Sequence, residues 1–244
     1  MPIRIPQLDW ATDAAFPPCQ RALSDPNGLL AFGGDLSPTR LLNAYRNGIF
    51  PWYSEGEPIL WWSPDPRMVV IPGELHLSRR LRRTLAHSNW LISADGCFEE
   101  VIDLCATLPR HGRVGTWITT GMRDAYVALH RLGHAHSIEV NDGNGVLVGG
   151  LYGVTIGRMF FGESMFSLES GGSQVAIAGL CQRLSEWNFA LLDGQVKSAH
   201  LATLGFRTLP RAAFIAICAQ ACAEPEPRGQ WQTRFGHLYA REIA

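Results

Sequence analysis

Asp193 and Gln195 flank a single glycine directly after the continuous apolar run of residues 189–192. Such a run suits a central strand covered on both faces, and the C-terminal ends of strands in open mixed sheets commonly face the ligand crevice. Alternation along a strand turns residues 193 and 195 to one side, so a carboxylate and an amide could act together on a nucleophile. Taken alone, Asp-Gly is also ordinary turn chemistry. Glu163 lies within Phe160-Phe-Gly-Glu-Ser-Met-Phe166, where nearly every neighbour is apolar. A carboxylate there is costly to bury unless it meets a cation or several donors. Two readings stay open: an ion pair with a nearby arginine such as Arg158, or a receptor for a cationic group of a ligand. Gly162-Glu-Ser-Met-Phe166 is not G-x-S-x-G, which argues against a hydrolase elbow at Ser164.

His130, His134 and His136 form H-x3-H-x-H. A helix ending at Gly133 would carry His134 and His136 off the face that bears His130, and no cysteine nearby completes a set, so no metal is expected. Arg79, Arg80, Arg82 and Arg83 put a positive stripe on one helix of a chain whose formal net charge is −1. A solvated face is the usual fate of a charge run, yet aromatics just upstream make nucleic-acid contact attractive. These aromatics are Phe50, Trp52, Tyr53, Trp61 and Trp62, set among Pro51, Pro58, Pro64 and Pro66. The prolines argue against a regular helix or a central strand over residues 48–67. Rings on so stiff a backbone make either a preset apolar surface or a small core beneath a loop. Ser170-Gly-Gly-Ser173 could cradle an anion at a helix start, but lacks the spacing of a P-loop.

The elements that must position these groups follow from periodicity. Ser37-Pro38 reads as the N-cap and first turn of a helix with Leu41, Leu42, Ala44 and Tyr45, ended by Gly48. Ser78 caps the arginine helix, whose apolar stripe is Leu77, Leu81 and Leu85. Phe98, Val101, Ile102 and Cys105 repeat at helical spacing, as do Met122, Ala125, Tyr126 and Leu129 up to Gly133. Strands follow over residues 136–140, 146–156 and 158–166, with glycines 149, 150, 153 and 162 marking bulges or close approach of a ligand to the backbone. An apolar helix carries Val175, Ala178, Cys181 and Leu184; after the strand at 189–192 come a short helix ending at Gly205 and another with Phe214, Ile215 and Cys218. The tail from Glu224 reads as an extended strap. The pattern is α+β, with a small N-terminal domain over residues 1–70 and a larger mixed-sheet domain over 71–244.

Composition sets the outer bounds. With 244 residues, 46% hydrophobic and 18% charged, the chain is far from disorder and can bury a sizeable core. Its near-neutral charge means that any nucleic-acid affinity must come from a local patch. Six irregularly spaced cysteines without C-x-x-C argue for a reducing compartment, and no apolar run approaches the roughly 20 residues of a bilayer span. The N-terminus lacks an apolar signal core, so a cytoplasmic protein without a membrane partner is expected.

Several blocks together resemble the leucyl/phenylalanyl-tRNA–protein transferase family over most of the chain, from about Phe16 to Phe214. They are Gly33-Gly-Asp-Leu36, residues 48–67, Gly115-Thr-Trp-Ile118, Gly133-His-Ala-His-Ser137, Val148-Gly-Gly-Leu-Tyr-Gly153, Phe161-Gly-Glu-Ser-Met-Phe-Ser167, Asp193-x-Gln195 and residues 200–205. The resemblance implies transfer of leucine or phenylalanine, less readily methionine, from aminoacyl-tRNA to proteins with N-terminal arginine or lysine, marking them for N-degron degradation. It implies an acetyltransferase-like N-acyltransferase domain without a cofactor, and the chain has no R-x-x-G-x-G/A loop for coenzyme A. Asp193 and Gln195 would be catalytic, Glu163 would face the incoming basic N-terminus or its amine, and Trp52, Trp117, Met165 and Phe166 would bound the pocket for the aminoacyl group and terminal adenosine. Arg79, Arg80, Arg82 and Arg83 are the candidate tRNA contacts, and a monomer is expected. Three departures from the family pattern stand out: Gly194 for cysteine, Leu168 for arginine, and Gly172-Ser173-Gln174 for Ala-Ser-Lys. An acetyl-CoA N-acetyltransferase and a non-catalytic adaptor for basic N-termini are the competing readings.

Overall fold

The computed structural model describes residues 4–10, 15–108, 117–226 and 228–244. Met1, Pro2 and Ile3 at the chain's start, Gly115 and Thr116 of the third block, and Pro227 of the tail lie outside them. In chain order the regular elements are β1 (Gln7–Leu8), β2 (Leu29–Gly33), α1 (Pro38–Arg46), β3 (Phe50–Pro51), β4 (Leu60–Trp62), β5 (Arg67–Val70), α2 (Arg79–Ala86), β6 (Leu91–Ala94), α3 (Phe98–Thr107) and α4 (Thr120–Arg131). There follow β7 (Ala135–Asn141), β8 (Leu147–Ile156), β9 (Met159–Ser167), α5 (Gly172–Glu186), β10 (Leu191–Gln195), α6 (Ala199–Thr203), β11 (Arg207–Leu209), α7 (Arg211–Ala223), α8 (Trp231–Phe235) and β12 (Leu238–Tyr239).

The helix starts are set by the side chains the sequence supplies. Ser37, Ser78 and Thr119 each accept a backbone N–H from three residues on, at the N-termini of α1, α2 and α4. The apolar positions of α3 and α4 are buried as their spacing requires. Two sheets result: a four-stranded one ordered β1-β2-β4-β3, and an eight-stranded one ordered β11-β5-β10-β9-β8-β7-β6-β12. One core lies between the large sheet and α1, α3, α4 and α7, and takes in Leu8, Leu30 and Trp61 of the small sheet. A second core fills the opposite face under α5 and the C-terminal segment. Within the large sheet β9 and β10 run parallel, while β5 pairs antiparallel with β10. This is the α+β, acetyltransferase-like mixed sheet that the resemblance implies.

Two expectations are corrected. Leu60–Trp62 is a central strand of the small sheet, because its prolines sit just outside: Pro58 precedes it and Pro64 follows, leaving the intervening ladder its N–H groups. Proline itself enters only the edge strand β3. The tail is more than an extended strap, since Trp231 and Phe235 bury one face of α8 and β12 adds an edge strand to β6. A five-residue helix is too short for periodicity to announce it. The glycines of the β8–β9 pair bear out the bulge reading, since the register shifts beside Gly149 and again at Gly153 opposite Gly162; at Gly149 a Cβ would also lie 2.4 Å from the Gly172 backbone, so α5 starts directly on the strand.

Candidate active site

β9 and β10 pair through Leu191↔Met159, Leu192↔Phe160 and Asp193↔Phe161, and their pairing ends there. Each strand then carries an irregularity. On β9, Tyr152 faces Ser164 and Gly153 faces Gly162, so Glu163 is the extra residue of a bulge. On β10, Asp193 faces Val69 and Gln195 faces Met68, so Gly194 is extra, and Gln195 takes φ +60°. Bulges next to one another re-aim side chains. Here they turn Glu163 and Gln195 toward each other, with Gln195 Nε2 donating to Glu163 Oε1 at 2.7 Å.

Among the described residues no cation pairs with Glu163. Tyr45 of α1 donates to its Oε1 and Tyr126 of α4 to its Oε2, each at 2.7 Å. Arg158 does not serve as its ion-pair partner; that guanidinium donates to the carbonyl of Trp187. Burial pushes the Glu163 carboxyl up to about 7, with the nearby Asp193 charge adding to it, against the lowering effect of the two phenols and the amide. The same burial, reinforced by Glu163, holds both tyrosines well above their ordinary range, so they remain donors. The two phenol oxygens stand 2.5 Å apart. With Glu163 ionised both phenols donate to it. With Glu163 protonated, a cyclic path from carboxyl to one phenol to the other and back satisfies all three groups.

Asp193 is held differently. Arg67 donates to it through Nε at 2.9 Å and Nη2 at 2.7 Å, a bidentate pair with both side chains buried. The third arm of the fork, Nη1, donates to Gly48 O at 3.1 Å, just past α1. The guanidinium lies between the rings of Phe50 and Phe214, at 4.7 and 4.6 Å from their centroids. Asp193 Oδ1 also accepts the backbone N–H of Gln195 at 2.8 Å. The carboxylate therefore fixes the left-handed turn that aims Gln195, whose amide oxygen accepts none of the described hydrogen bonds.

Beside this pair opens an apolar cavity of about 100 Å³, lined by Leu151, Phe160, Met165, Ile177, Leu192 and Phe206 among others, with Glu163 and Gly194 at its edge. A Cβ on Gly194 would meet Leu201 at 2.7 Å and the Phe206 ring at 3.1 Å. Gly194→Cys, the residue the resemblance implies here, should therefore push Leu201 into the cavity. The expected result is a higher KM for a phenylalanine-charged donor at nearly unchanged melting temperature, checked by steady-state kinetics and thermal unfolding.

The structure thus brings Asp193, Gln195, Glu163 and Met165 together. Phe166 is buried in the core, its ring against Gly150. Trp52 and Trp117 are not among the residues lining the cavity. Trp52 stands 37% exposed beside Trp62, on a segment tied to that of Trp117 by the contact of Tyr53 Oη with Thr119 Oγ1 at 3.2 Å. Arg79, Arg80, Arg82 and Arg83 are exposed along α2, and Leu81 of that helix faces Gly171 in the loop after β9. His130 and His136, expected to part company, instead meet at Asp95, because the chain reverses at Gly133 and β7 brings His136 back. Sequence reasoning missed Arg67, Tyr45 and Tyr126. The two tyrosines are indistinguishable from core residues on their helical stripes, while an arginine opening the apolar strand Arg67-Met-Val-Val70 was a readable sign of a buried partner.

Known proteins carry much of this chain. The family described as leucyl/phenylalanyl-tRNA protein transferase matches residues 69–219, and its N-terminal domain matches residues 34–65. The chain belongs to this family. A leucyl/phenylalanyl-tRNA–protein transferase of Xanthomonas euvesicatoria pv. vesicatoria is 59% identical over 96% of this chain and 94% of its own length. One from Xylella fastidiosa is 52% identical over 97% of both chains. A solved structure of L-PGS from Bacillus licheniformis matches with a TM-score of 0.41 and 9% identity, covering 81% of this chain and 74% of its own. As a member of the transferase family the protein is an aminoacyltransferase. Among the described residues no helix is long and apolar enough to cross a membrane.

Proposed function

We propose that the chain transfers leucine or phenylalanine, and less readily methionine, from aminoacyl-tRNA to the α-amino group of proteins beginning with arginine or lysine, a modification that marks them for N-degron degradation in the cytoplasm. The observation that carries this reading is the Glu163–Gln195 contact at the opening between β9 and β10, beside an apolar cavity. A carboxylate pushed to about 7 is matched to an amine whose ordinary value is near 8.

The chemistry balances simply. The neutral amine nitrogen attacks the ester carbonyl carbon, the carbon–oxygen bond to the terminal ribose breaks, and a peptide bond forms. The amine's proton passes to Glu163, and a proton is returned to the departing ribose oxygen. Gln195 is too weak a base to hold that proton; its free amide oxygen orients the attacking N–H, and Asp193 keeps Gln195 in place through the backbone. Alignment of amine and ester can be worth on the order of 7–11 kcal/mol. The apolar cavity favours a branched or aromatic side chain and rejects a charged one. In this reading Trp52 and Trp117 flank the terminal adenosine, Met165 bounds the aminoacyl side chain, and Phe166 supports that wall from the core.

Labelled leucyl-tRNA with an Arg-initiated peptide tests the reading, scored for label in peptide. Gln195→Ala should lower transfer by about 10²-fold or more with charged-tRNA affinity nearly intact. Label retained on tRNA by the wild-type protein, or acetylation of the peptide from acetyl-CoA, would sink the proposal. The arginine stripe carries a separate expectation. Neutralising Arg79, Arg80, Arg82 and Arg83 should weaken tRNA binding and flatten its salt slope by up to about 3 log units per log unit of salt. An unchanged slope would leave these residues as a solvated face.

A further inference from the structure

Two phenols close on Glu163 from different parts of the chain. Tyr45 lies on α1, inside the stretch that matches the N-terminal family domain, and Tyr126 lies on α4, inside the stretch that matches the transferase domain. Both are 0% exposed, so neither can touch a substrate and each must act through the carboxyl it faces. Their rings are fixed by neighbours: Tyr45 packs on Phe161 with centroids 5.1 Å apart, and Tyr126 meets Tyr152 edge-on at 5.4 Å. The other groups around Glu163 are Gln195 and Asp193 of β10, the latter paired with Arg67 of β5, and Tyr152 of β8 stands beside the two phenols.

Three oxygen–oxygen contacts join the group: Tyr45 to Glu163 Oε1 and Tyr126 to Oε2, each at 2.7 Å, and phenol to phenol at 2.5 Å. A contact of that length calls for a hydrogen between its oxygens. The phenols supply two, and both go to the carboxylate while it is ionised, leaving the phenol–phenol contact unfilled. A proton arriving on Oε1 donates to Tyr45, whose own hydrogen turns to Tyr126. One arriving on Oε2 donates to Tyr126, whose hydrogen turns to Tyr45. Either way a single hydroxyl rotates and all three contacts are filled.

We propose that Tyr45 and Tyr126 are positioning residues for the transfer reaction: they hold Glu163 against Gln195 and, by the turn of one hydroxyl, let it take the amine's proton and return it. The inference rests on the reading of Glu163 as proton acceptor. The proton leaves the amine nitrogen as the new N–C bond forms, resides on a Glu163 oxygen, and passes to the ribose oxygen as the C–O bond breaks. The phenols end with the hydrogens they began with. Because one of the two comes from α1, the N-terminal domain completes the acid–base group of the larger one.

The test compares the full wild-type chain with Tyr45→Phe and Tyr126→Phe, each of which removes one hydroxyl and keeps the ring. Losing a donor to the ionised carboxylate favours its neutral form, so the lower limb of kcat/KM for an Arg-peptide should move up by about one pH unit. The deficit in leucyl transfer should then be about 10-fold near pH 6 and within about 2-fold near pH 9, with charged-tRNA affinity unchanged. A second readout needs no transfer. The stability that the Glu163 proton gives is lost as pH rises through about 7 in the wild-type chain, and denaturant midpoints should place that loss about one unit higher in each variant. A deficit equal at every pH, a limb that moves down, or an unmoved stability window overturns the proposal. A wild-type chain that moves no label into peptide fails the transfer reading instead, and the stability profiles then still decide whether the two phenols govern Glu163.

Discussion

Arg67→Ala should cost about 3–5 kcal/mol of folding stability, measured as a shift of the urea midpoint at constant m-value, because it strands the Asp193 carboxylate in the core. Three hydrogen bonds leave with the guanidinium: two to Asp193 and one to Gly48 O. The gap between Phe50 and Phe214 adds lost packing to lost charge. A residual loss under about 1 kcal/mol would show that Asp193 finds another partner. The double replacement Arg67→Met with Asp193→Leu separates stability from chemistry. Apolar replacement of a whole buried pair is often neutral or stabilising, so the double variant should recover much of the loss. It should not recover transfer, since nothing then accepts the Gln195 N–H and the left-handed turn at that residue loses its anchor. Full transfer by the refolded double variant would remove Asp193 from any positioning role.

The contrast between what the sequence made legible and what it hid follows from range. Helices α1, α2 and α4 were readable because their starts depend on Ser37, Ser78 and Thr119, each acting three residues away. Asp193 and Gln195 were readable as a pair because both end a continuous apolar strand. Yet the route to their shared side is not simple alternation. Gly194 is bulged out, Gln195 is left-handed, and the register against β5 shifts between them. No local signal announces that shift, because it depends on β5, more than 120 residues earlier.

Glu163 shows the same limit from the other side. An acidic residue amid apolar neighbours plainly demanded partners, and the arginine five residues before it was a reasonable candidate. The bulge at Glu163 turns it instead toward Tyr45, Tyr126 and Gln195, supplied by α1, α4 and β10. Three neutral donors, unlike one cation, stabilise the charge only partly, and that difference is what leaves the carboxyl near neutrality. The meeting of His130, His136 and Asp95 was hidden for a related reason. It needs the reversal at Gly133 and the early end of β6, neither of which the spacing H-x3-H-x-H encodes.

That neutrality makes a pH experiment decisive. With Glu163 as proton acceptor, kcat/KM for an Arg-peptide should rise with pH around about 7, below a second rise from the amine itself near 8. Glu163→Gln should lower kcat/KM by about 10²-fold and erase the first rise while keeping the second. The sign of the stability effect follows from the same shift. A folded-state value of about 7, against an ordinary 4.5, means the native protein holds this proton more tightly than the unfolded chain. The stabilisation is fully present below 4.5 and is lost as pH rises through about 7, when an ionised carboxylate must be kept in a buried site. Wild-type protein should accordingly lose stability relative to E163Q across that window, read from denaturant midpoints at each pH. A merely structural glutamate would give the stability trend without the kinetic limb. A first limb that persists unchanged in E163Q would assign the titration to another group and return Glu163 to the role of a hydrogen-bonding anchor for Gln195.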